Sequence, residues 1–404
     1  MKYISFLNRN ISLLFSKLYY SFFRKERNLW VMGEWFGERC CDNCMYLANY
    51  VANNHPEVHI VWITCADSFK SKLSPRINIC RMDSGEALNA LKRASVVIMN
   101  QGREDLTSNK YSHYYSGALA INLWHGVAWK KISLDAPISK FDHIYIGCFL
   151  NLFVSNIYLS TSEGFSDILL SAFSTDRRNI IKSGYPRNSI FYSPDKLRNS
   201  KKDIKTLLGN RGLKVSTSTK IVTYMPTFRD RTESQFSFHD ITENQKLLSV
   251  LEEHDAVVIQ KSHFVTTRRK TENSQSRRNR IVQIDEYNSQ ELLAASDVLI
   301  TDYSSCFFDF LILDRPIIHY LYDYEYYAND DRGVYYKKED VVGGDVAETV
   351  DELIAAIDES LRNPDKNKAL RQQRRDKYMR YESKNSCEQI YNEIIKRIDG
   401  NSQC

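Results

Sequence analysis

From residue 28 onward the chain alternates short, β-branched apolar runs with stretches of helical periodicity. The strand-like runs are LWVMGEW (29–35), HIVWITC (59–65), SVVIMN (95–100), ALAINLW (118–124) and HIYIG (143–147), then NIIKSG (179–184), KIVTYM (220–225), DAVVIQK (255–261), RIVQID (280–285), DVLITD (297–302) and PIIHY (316–320). Helical patterns lie between most of them, at 42–53, 84–93, 164–172, 244–253, 304–313 and 348–361. This rhythm predicts parallel sheets wrapped by helices. Eleven strands exceed one comfortable open sheet, and the rhythm breaks over 185–218, where Pro186, Pro194 and the polar run SPDKLRNSKKD occur. A linker placed there predicts an α/β, GT-B arrangement of two Rossmann-like domains facing a cleft. The expected boundaries are 28–190 for the first of these domains and 191–375 for the second. A charged C-terminal helix over 376–404 is expected to pack across the domain junction. Ligands in such sheets bind beyond the carboxyl ends of strands, so the chemistry-bearing motifs should follow strands.

The first 27 residues have a different pattern. Ile4, Leu7, Ile11, Leu14, Phe15, Leu18 and Phe22 form one narrow helical stripe, with Lys2, Arg9, Lys17 and Arg24 on the opposite side. No run of about 18 uncharged apolar residues occurs, so no bilayer-spanning segment is predicted. Lys17 interrupts the apolar stretch a secretory signal would need, and Phe22-Phe23-Arg24 does not fit its cleavage site. The composition fits an amphipathic helix lying on an anionic membrane surface, or a helix packed on the protein's own body.

Charge sharpens this reading. The 404 residues carry 55 Lys and Arg against 50 Asp and Glu, a net +5. Residues 1–27 alone hold six basic side chains and one acid, so the remainder is electroneutral. A general nucleic-acid-binding field is therefore not expected. At 43% hydrophobic and 26% charged the chain is an ordinary globular one, and disordered or fibrous classes are excluded. Nine cysteines, an odd number, argue against a disulfide framework. Cys40, Cys41 and Cys44 contain one C-x-x-C with no second pair, so reduced thiols are expected rather than a zinc site.

Five motifs carry candidate chemistry. In DVLITDYSSCFFDF (297–310) a strand ends at Asp302, and Ser304 and Ser305 open an apolar helix. Serines there can cap backbone N–H groups, and such a terminus suits phosphate; Asp309 is one turn further in, placed to accept from a ribose or polyol hydroxyl. In AINLWHGVAWKKI (120–132) a strand delivers Trp124 and His125, a candidate general base, with Lys130 and Lys131 following. SGYPRN (183–188) turns at Gly184 and Pro186 and projects Arg187, whose guanidinium suits a diphosphate. IVTYMPTFRDR (221–231) ends its strand at Pro226 and offers Thr227, Arg229 and Arg231. VVIQKSHF (257–264) presents Lys261 and His263. A basic run follows at Arg268, Arg269, Lys270, Arg277, Arg278 and Arg280, suited either to a polyanionic acceptor or to a solvated loop.

In this order the motifs resemble those of the CDP-glycerol glycerophosphotransferase family, the wall and capsule polyol-phosphate transferases of teichoic acid type. WFG at 35–37, DN at 42–43, WHG at 124–126, GYPRN at 184–188, PTFRD at 226–230 and TDYSS with FDF within 301–310 carry the likeness. The resemblance runs from about 30 to 395 and implies a GT-B fold at the cytoplasmic face of the cell membrane, held there peripherally. It implies transfer of a polyol phosphate, glycerol phosphate first, from a CDP-polyol to a hydroxyl of a lipid-linked or polyanionic polyol-phosphate acceptor, with CMP released. The implied donor site comprises Trp124, His125, Gly126, Val127, Ala128, Arg187, Pro226, Thr227, Lys261, Ser262, His263, Ser304, Ser305 and Asp309. His125 is the implied base, with His263 the second catalytic imidazole and the two roles interchangeable. The sequence departs from the family at Val127-Ala128-Trp129, where Thr-Pro-aliphatic is usual, and at Lys261-Ser262-His263-Phe264, where R-x-H-P is usual. At 404 residues the chain reads as a minimal catalytic unit with a membrane helix.

Acid pairs such as Asp330-Asp331 do not form a strand-end D-x-D, so no essential metal and no cofactor are expected. Two other readings share some of these features: a GT-B hexosyltransferase using a nucleotide sugar, and a non-catalytic membrane-associated scaffold of a polymer-assembly complex.

Overall fold

The structure, a computed structural model, describes residues 15–66, 72–108, 113–137, 156–227, 236–261, 280–326 and 333–401. The chain divides into two compact units. One comprises Met1–His125, Ser133–Ser189 and Tyr381–Cys404; the other comprises Gly126–Ile132 and Ile190–Arg380.

The first unit is built on a seven-stranded sheet of order β3-β2-β1-β4-β5-β6-β7. Its strands are β1 (Glu26–Met32), β2 (His59–Thr64), β3 (Asn78–Arg81), β4 (Ala94–Met99), β5 (Leu119–Asn122), β6 (Asn156–Ser160) and β7 (Ile180–Lys182). Every pairing is parallel. Alternation along β1 explains its central place. Leu29 and Val31 face a core with Val97, Met99, Ala87 and Leu91, while Trp30 on the other face lies 5.8 Å from the ring of Tyr391. Helices α1 (Asn43–Asn54), α2 (Gly85–Arg93) and α3 (Glu163–Ala172) follow strands and are capped by Asp42, Ser84 and Ser162, each accepting from a first-turn N–H.

The second unit has a six-stranded sheet of order β10-β9-β8-β11-β12-β13, again wholly parallel. Its strands are β8 (Lys220–Met225), β9 (Ala256–Gln260), β10 (Ile281–Gln283), β11 (Val298–Thr301), β12 (Ile317–Tyr320) and β13 (Asp345–Ala347). Its helices of five residues or more are α4 (Pro194–Asn210), α5 (Gln245–Glu253), α6 (Ser289–Ala295), α7 (Cys306–Phe310), α8 (Val350–Arg362) and α9 (Lys368–Tyr378). Ile221, Val257 and Ile259 pack with Ile204 and Leu208 of α4 and Leu292 of α6. The alternate positions Val222, Tyr224 and Val258 pack on the other face with Leu247, Leu251, Leu353 and Ile357. Both faces are thus covered, as parallel sheets require.

Three features refine the sequence reading. The chain passes from the first unit to the second after Ser189, inside the stretch 185–218, but that stretch is regular structure rather than an irregular linker. It holds a 3-10 segment, Pro186–Tyr192, and the 17-residue α4, in which Ser193 caps and Pro194 occupies the first turn. Its polar run is the solvent side of an amphipathic helix. Strands β3, β6 and β13 are additional: β3 and β13 are short edge strands with little apolar signal, and β6 is apolar only over three residues between Asn156 and Ser160. The C-terminal helix α10 (Ser386–Asn401) belongs with the first unit; His55 of that unit stacks on Tyr391 at 3.5 Å.

Near the N-terminus a helix covers 15–21. Tyr20 turns inward and stacks on Tyr114 at 4.5 Å, with His113 at 5.1 Å. Phe15, Leu18, Tyr19 and Phe22 are exposed. The stripe residues Ile4, Leu7, Ile11 and Leu14 and the predicted strand 143–147 lie outside the described residues.

Candidate active site

In the first unit the candidate site gathers at the carboxyl ends of β1 and β5. After β1 the chain makes a turn in which Trp35, Phe36 and Gly37 all have positive φ, +49°, +59° and +73°. Such a run persists only when its surroundings fix it. The buried Asp105 accepts from Phe36 N–H at 2.8 Å and from the N–H groups of Asn100 and Gln101 at 2.8 and 2.6 Å. Burial raises its carboxyl to about 6 against the pull of those donors. Asp42 accepts from Trp35 Nε1 at 3.0 Å.

Glu34 is fully buried and fixes the loop leading into α1. It accepts from the backbone N–H groups of Cys41, Asp42 and Met45. Burial and then the neighbouring Asp42 charge raise its carboxyl to about 8, against those three donors. Asp42 caps α1 at Asn43 N–H and also accepts from Arg187 Nη1 at 2.9 Å. Burial works against ionised Asp42, but Arg187 outweighs it and holds the carboxyl below the usual range. Arg187 in turn donates to His125 O at 3.0 Å. The Trp124 ring lies 4.3 Å from that of His125, and the Trp35 ring lies 6.0 Å from it. Tyr185 and Asn188 of the same turn donate to Glu382 Oε2 at 3.0 and 3.1 Å. Trp124, His125 and Arg187 of the predicted set are therefore gathered in one corner of this unit.

The other described members lie in the second unit. Gly126, at φ +139°, Val127 and Ala128 are buried. Trp129 is buried as well; its Nε1 donates to Tyr336 O at 2.9 Å, and its ring meets those of Tyr303 and Phe307 edge-on. The bulky residue at the family's aliphatic position is thus an anchor for the segment after His125. Pro226 and Thr227 follow β8, and Thr227 N–H donates to the buried Asp302 at 2.8 Å.

Three predicted roles are altered by the local geometry. Ser305 makes no capping hydrogen bond: its own φ and ψ of −62° and −13° are helical, and α7 has only five residues. Asp309 is buried and accepts from Gln290 Nε2 at 3.2 Å, so its carboxylate serves the protein interior. Lys261 is also buried, its ammonium donating to Tyr287 O at 2.6 Å and Asp285 O at 3.2 Å. Ser304 and Ser305 remain partly exposed. Ser262, His263, Arg229, Arg231, Asp330, Asp331 and the basic run Arg268 to Arg278 lie outside the described residues.

Burial pushes the thiols of Cys40, Cys41 and Cys44 up. Among the described residues one cluster, Glu253, His254 and Asp358, has metal-like spacing. There Arg362 already donates to both Asp358 oxygens, at 2.9 and 3.0 Å.

Sequence reasoning missed Glu34, Asn43, Asp105 and Asn122 as parts of this corner. The DN pair at 42–43 was visible as a motif, but nothing in the sequence tied it to Arg187.

Two wholly parallel sheets, each carrying candidate residues beyond its strand ends, define the fold as Rossmann-like and of GT-B class. A sequence model of the family described as CDP-Glycerol:Poly(glycerophosphate) glycerophosphotransferase matches residues 17–396, and the chain belongs to that family. The teichoic acid glycerol-phosphate transferase of Staphylococcus aureus is 27% identical over 343 residues, covering 82% of this chain and 83% of that protein. The teichoic acid poly(glycerol phosphate) polymerase of Bacillus subtilis is 27% identical over 374 residues, 89% of this chain but 48% of that protein, so the chain spans about half of the polymerase. The solved structure of the wall teichoic acid polymerase TagF superposes with a TM-score of 0.76 at 20% identity over 98% of both chains. No helix of the described residues is long and apolar enough to cross a membrane.

Proposed function

We propose that the chain moves glycerol phosphate from CDP-glycerol to a hydroxyl of a polyol-phosphate acceptor and releases CMP. The observation that carries this reading is the family match over nearly the whole chain; the corner that presents His125 beside Arg187 supplies groups suited to the chemistry. The acceptor oxygen attacks the phosphorus bonded to glycerol, a new P–O bond forms, and the bond to the CMP oxygen breaks with its electron pair. His125 accepts the proton of the attacking hydroxyl. The Ser304 and Ser305 hydroxyls and His263 neutralise charge on the transferring and leaving phosphates, and Arg187 steadies His125 through its carbonyl. Lys261, Pro226, Thr227 and Asp309 shape the donor site from the protein side, and Asp309 acts through Gln290. Replacing His125 by Ala is the test: CMP release should fall by at least about a hundredfold while the melting temperature and CDP-glycerol binding stay. Turnover within a few-fold of the parent contradicts the base assignment.

The same reading places the N-terminal segment on the anionic inner membrane surface, where a lipid-linked acceptor resides. Its support is the exposed row Phe15, Leu18, Tyr19 and Phe22 in a segment that carries the whole net positive charge.

A further inference from the structure

Trp124 sits in the left-handed region at φ +57°. For a bulky side chain that conformation costs free energy and needs outside support. Both peptide groups of the residue are held by buried asparagines. Asn122 Oδ1 accepts from Trp124 N–H at 2.9 Å, and Asn43 Nδ2 donates to Trp124 O at 2.8 Å. Asn122 and Asn43 are 2% and 0% exposed. Each amide is itself fixed at its other end. Asn122 Nδ2 donates to Gln101 O at 3.2 Å, in the loop whose N–H groups bind Asp105. Asn43 Oδ1 accepts from Arg187 N–H at 3.1 Å.

We propose that Asn43 and Asn122 are positioning residues of the transfer reaction. They clamp Trp124 in its left-handed turn and thereby set the direction in which β5 delivers His125. Three segments distant in sequence (residues 43, 122–125 and 187) meet on these two amides, and a neutral amide donates from one end and accepts at the other without adding charge. An added charge here would face the buried carboxylates of Asp42 and Glu34. The ordinary alternative is that the amides only satisfy buried backbone groups. That alternative leaves unexplained why both flank the one residue of the turn that needs to be held, directly before the imidazole. This inference rests on the reading that His125 acts in the transfer.

The experiment is a double-mutant cycle on the full-length chain, with CDP-glycerol and a synthetic glycerol-phosphate acceptor, following CMP release. Asn122→Ala should lower kcat about 10- to 100-fold, the scale expected from small misplacement of a reacting group. The KM for CDP-glycerol should stay within about threefold, since the amide acts on the reaction only through the placing of His125. In the His125→Ala background the same substitution should cost nothing further. Full additivity of the two losses, or parental kcat for Asn122→Ala, overturns the proposal. Should Asn122→Ala fail to fold, Asn43→Ala takes its place, because it removes the donor to Trp124 O. The same loss of kcat at a KM within about threefold is expected, and parental kcat, or full additivity with His125→Ala, contradicts the clamp. Near-parental turnover in His125→Ala alone defeats the reading of His125 instead, so the two failures are told apart.

Discussion

Arg187 Nη1 lies 2.9 Å from Asp42 Oδ1, and the two side chains are only 8% and 7% exposed. A pair so deeply buried is costly to break by halves, because the surviving charge has no water to turn to. Asp42→Ala should therefore destabilise the first unit by about 3–5 kcal/mol, read by chemical denaturation. The folded-state carboxyl of Asp42 lies below its unfolded value. The stability it contributes is present above that unfolded value and is lost as pH falls through the folded one. An acid limb of unfolding that is unchanged in Asp42→Ala would count against the pair's role.

Glu34 behaves in the opposite sense. Its folded-state carboxyl is raised from 4.5 to about 8, chiefly by burial and then by Asp42. Between those values the folded state holds a proton that the unfolded chain has released, so stability falls as pH rises. Glu34→Gln removes that titration. Measured over pH 5 to 8, the parent's melting temperature should drop relative to that of the variant. Parallel curves for the two proteins would show that Glu34 does not titrate there.

Gly184 stands where a side chain has no room. A Cβ there would fall 2.5 Å from Ser386 Oγ and against the Glu382 carboxylate that holds Tyr185 and Asn188. Gly184→Ala should cost about 1–3 kcal/mol and loosen the turn that carries Arg187. Limited proteolysis within 183–192 would register it, and a parental cleavage rate would contradict the crowding.

The exposed N-terminal row can be tested without cutting the chain. Removing residues 1–27 would take the first two residues of β1, so substitution is the cleaner route. Replacing Phe15, Leu18 and Phe22 by Ser leaves in place the inward stack of Tyr20 on Tyr114 and the Tyr19 ring that meets Tyr20 edge-on. Co-sedimentation with phosphatidylglycerol vesicles should fall at least about tenfold, given the apolar area withdrawn, with CDP-glycerol binding unchanged. Undiminished sedimentation would assign the row another role.

Much of this architecture was legible because parallel strands buried on both faces read as unbroken β-branched runs: VVIQ before Lys261 and VLIT before Asp302 could hardly be anything else. The edge strands β3 and β13 were not, since a strand with one neighbour needs little apolar sequence. Helix α4 was hidden by its polar face, although Ser193 and Pro194 mark its start. At the site, Trp124, His125 and Arg187 were legible as residue types placed after strands. The parts that hold them were not. Glu34 and Asp105 are acids satisfied by backbone N–H groups and Asn122 is a neutral amide, none with a sequence signature, while Asn43 was visible only as half of the DN pair, with nothing to tie it to Trp124 or Arg187. Their roles come from contacts between residues up to 144 positions apart. The expected cap at Ser305 failed for a local reason: the residue is itself helical in φ and ψ, where a cap residue needs extended backbone for its hydroxyl to accept from the first-turn N–H groups.

The central claim is the choice of donor and the bond that breaks. Purified protein should be incubated in separate reactions with CDP-glycerol, CDP-ribitol and UDP-glucose, each with a glycerol-phosphate-primed acceptor, and the nucleotide released should be identified by chromatography. The account predicts CMP from CDP-glycerol, together with a new phosphodiester signal on the acceptor by ³¹P NMR. CMP from CDP-ribitol alone would contradict the choice of polyol, and UDP released with a glycoside formed would contradict the reaction class.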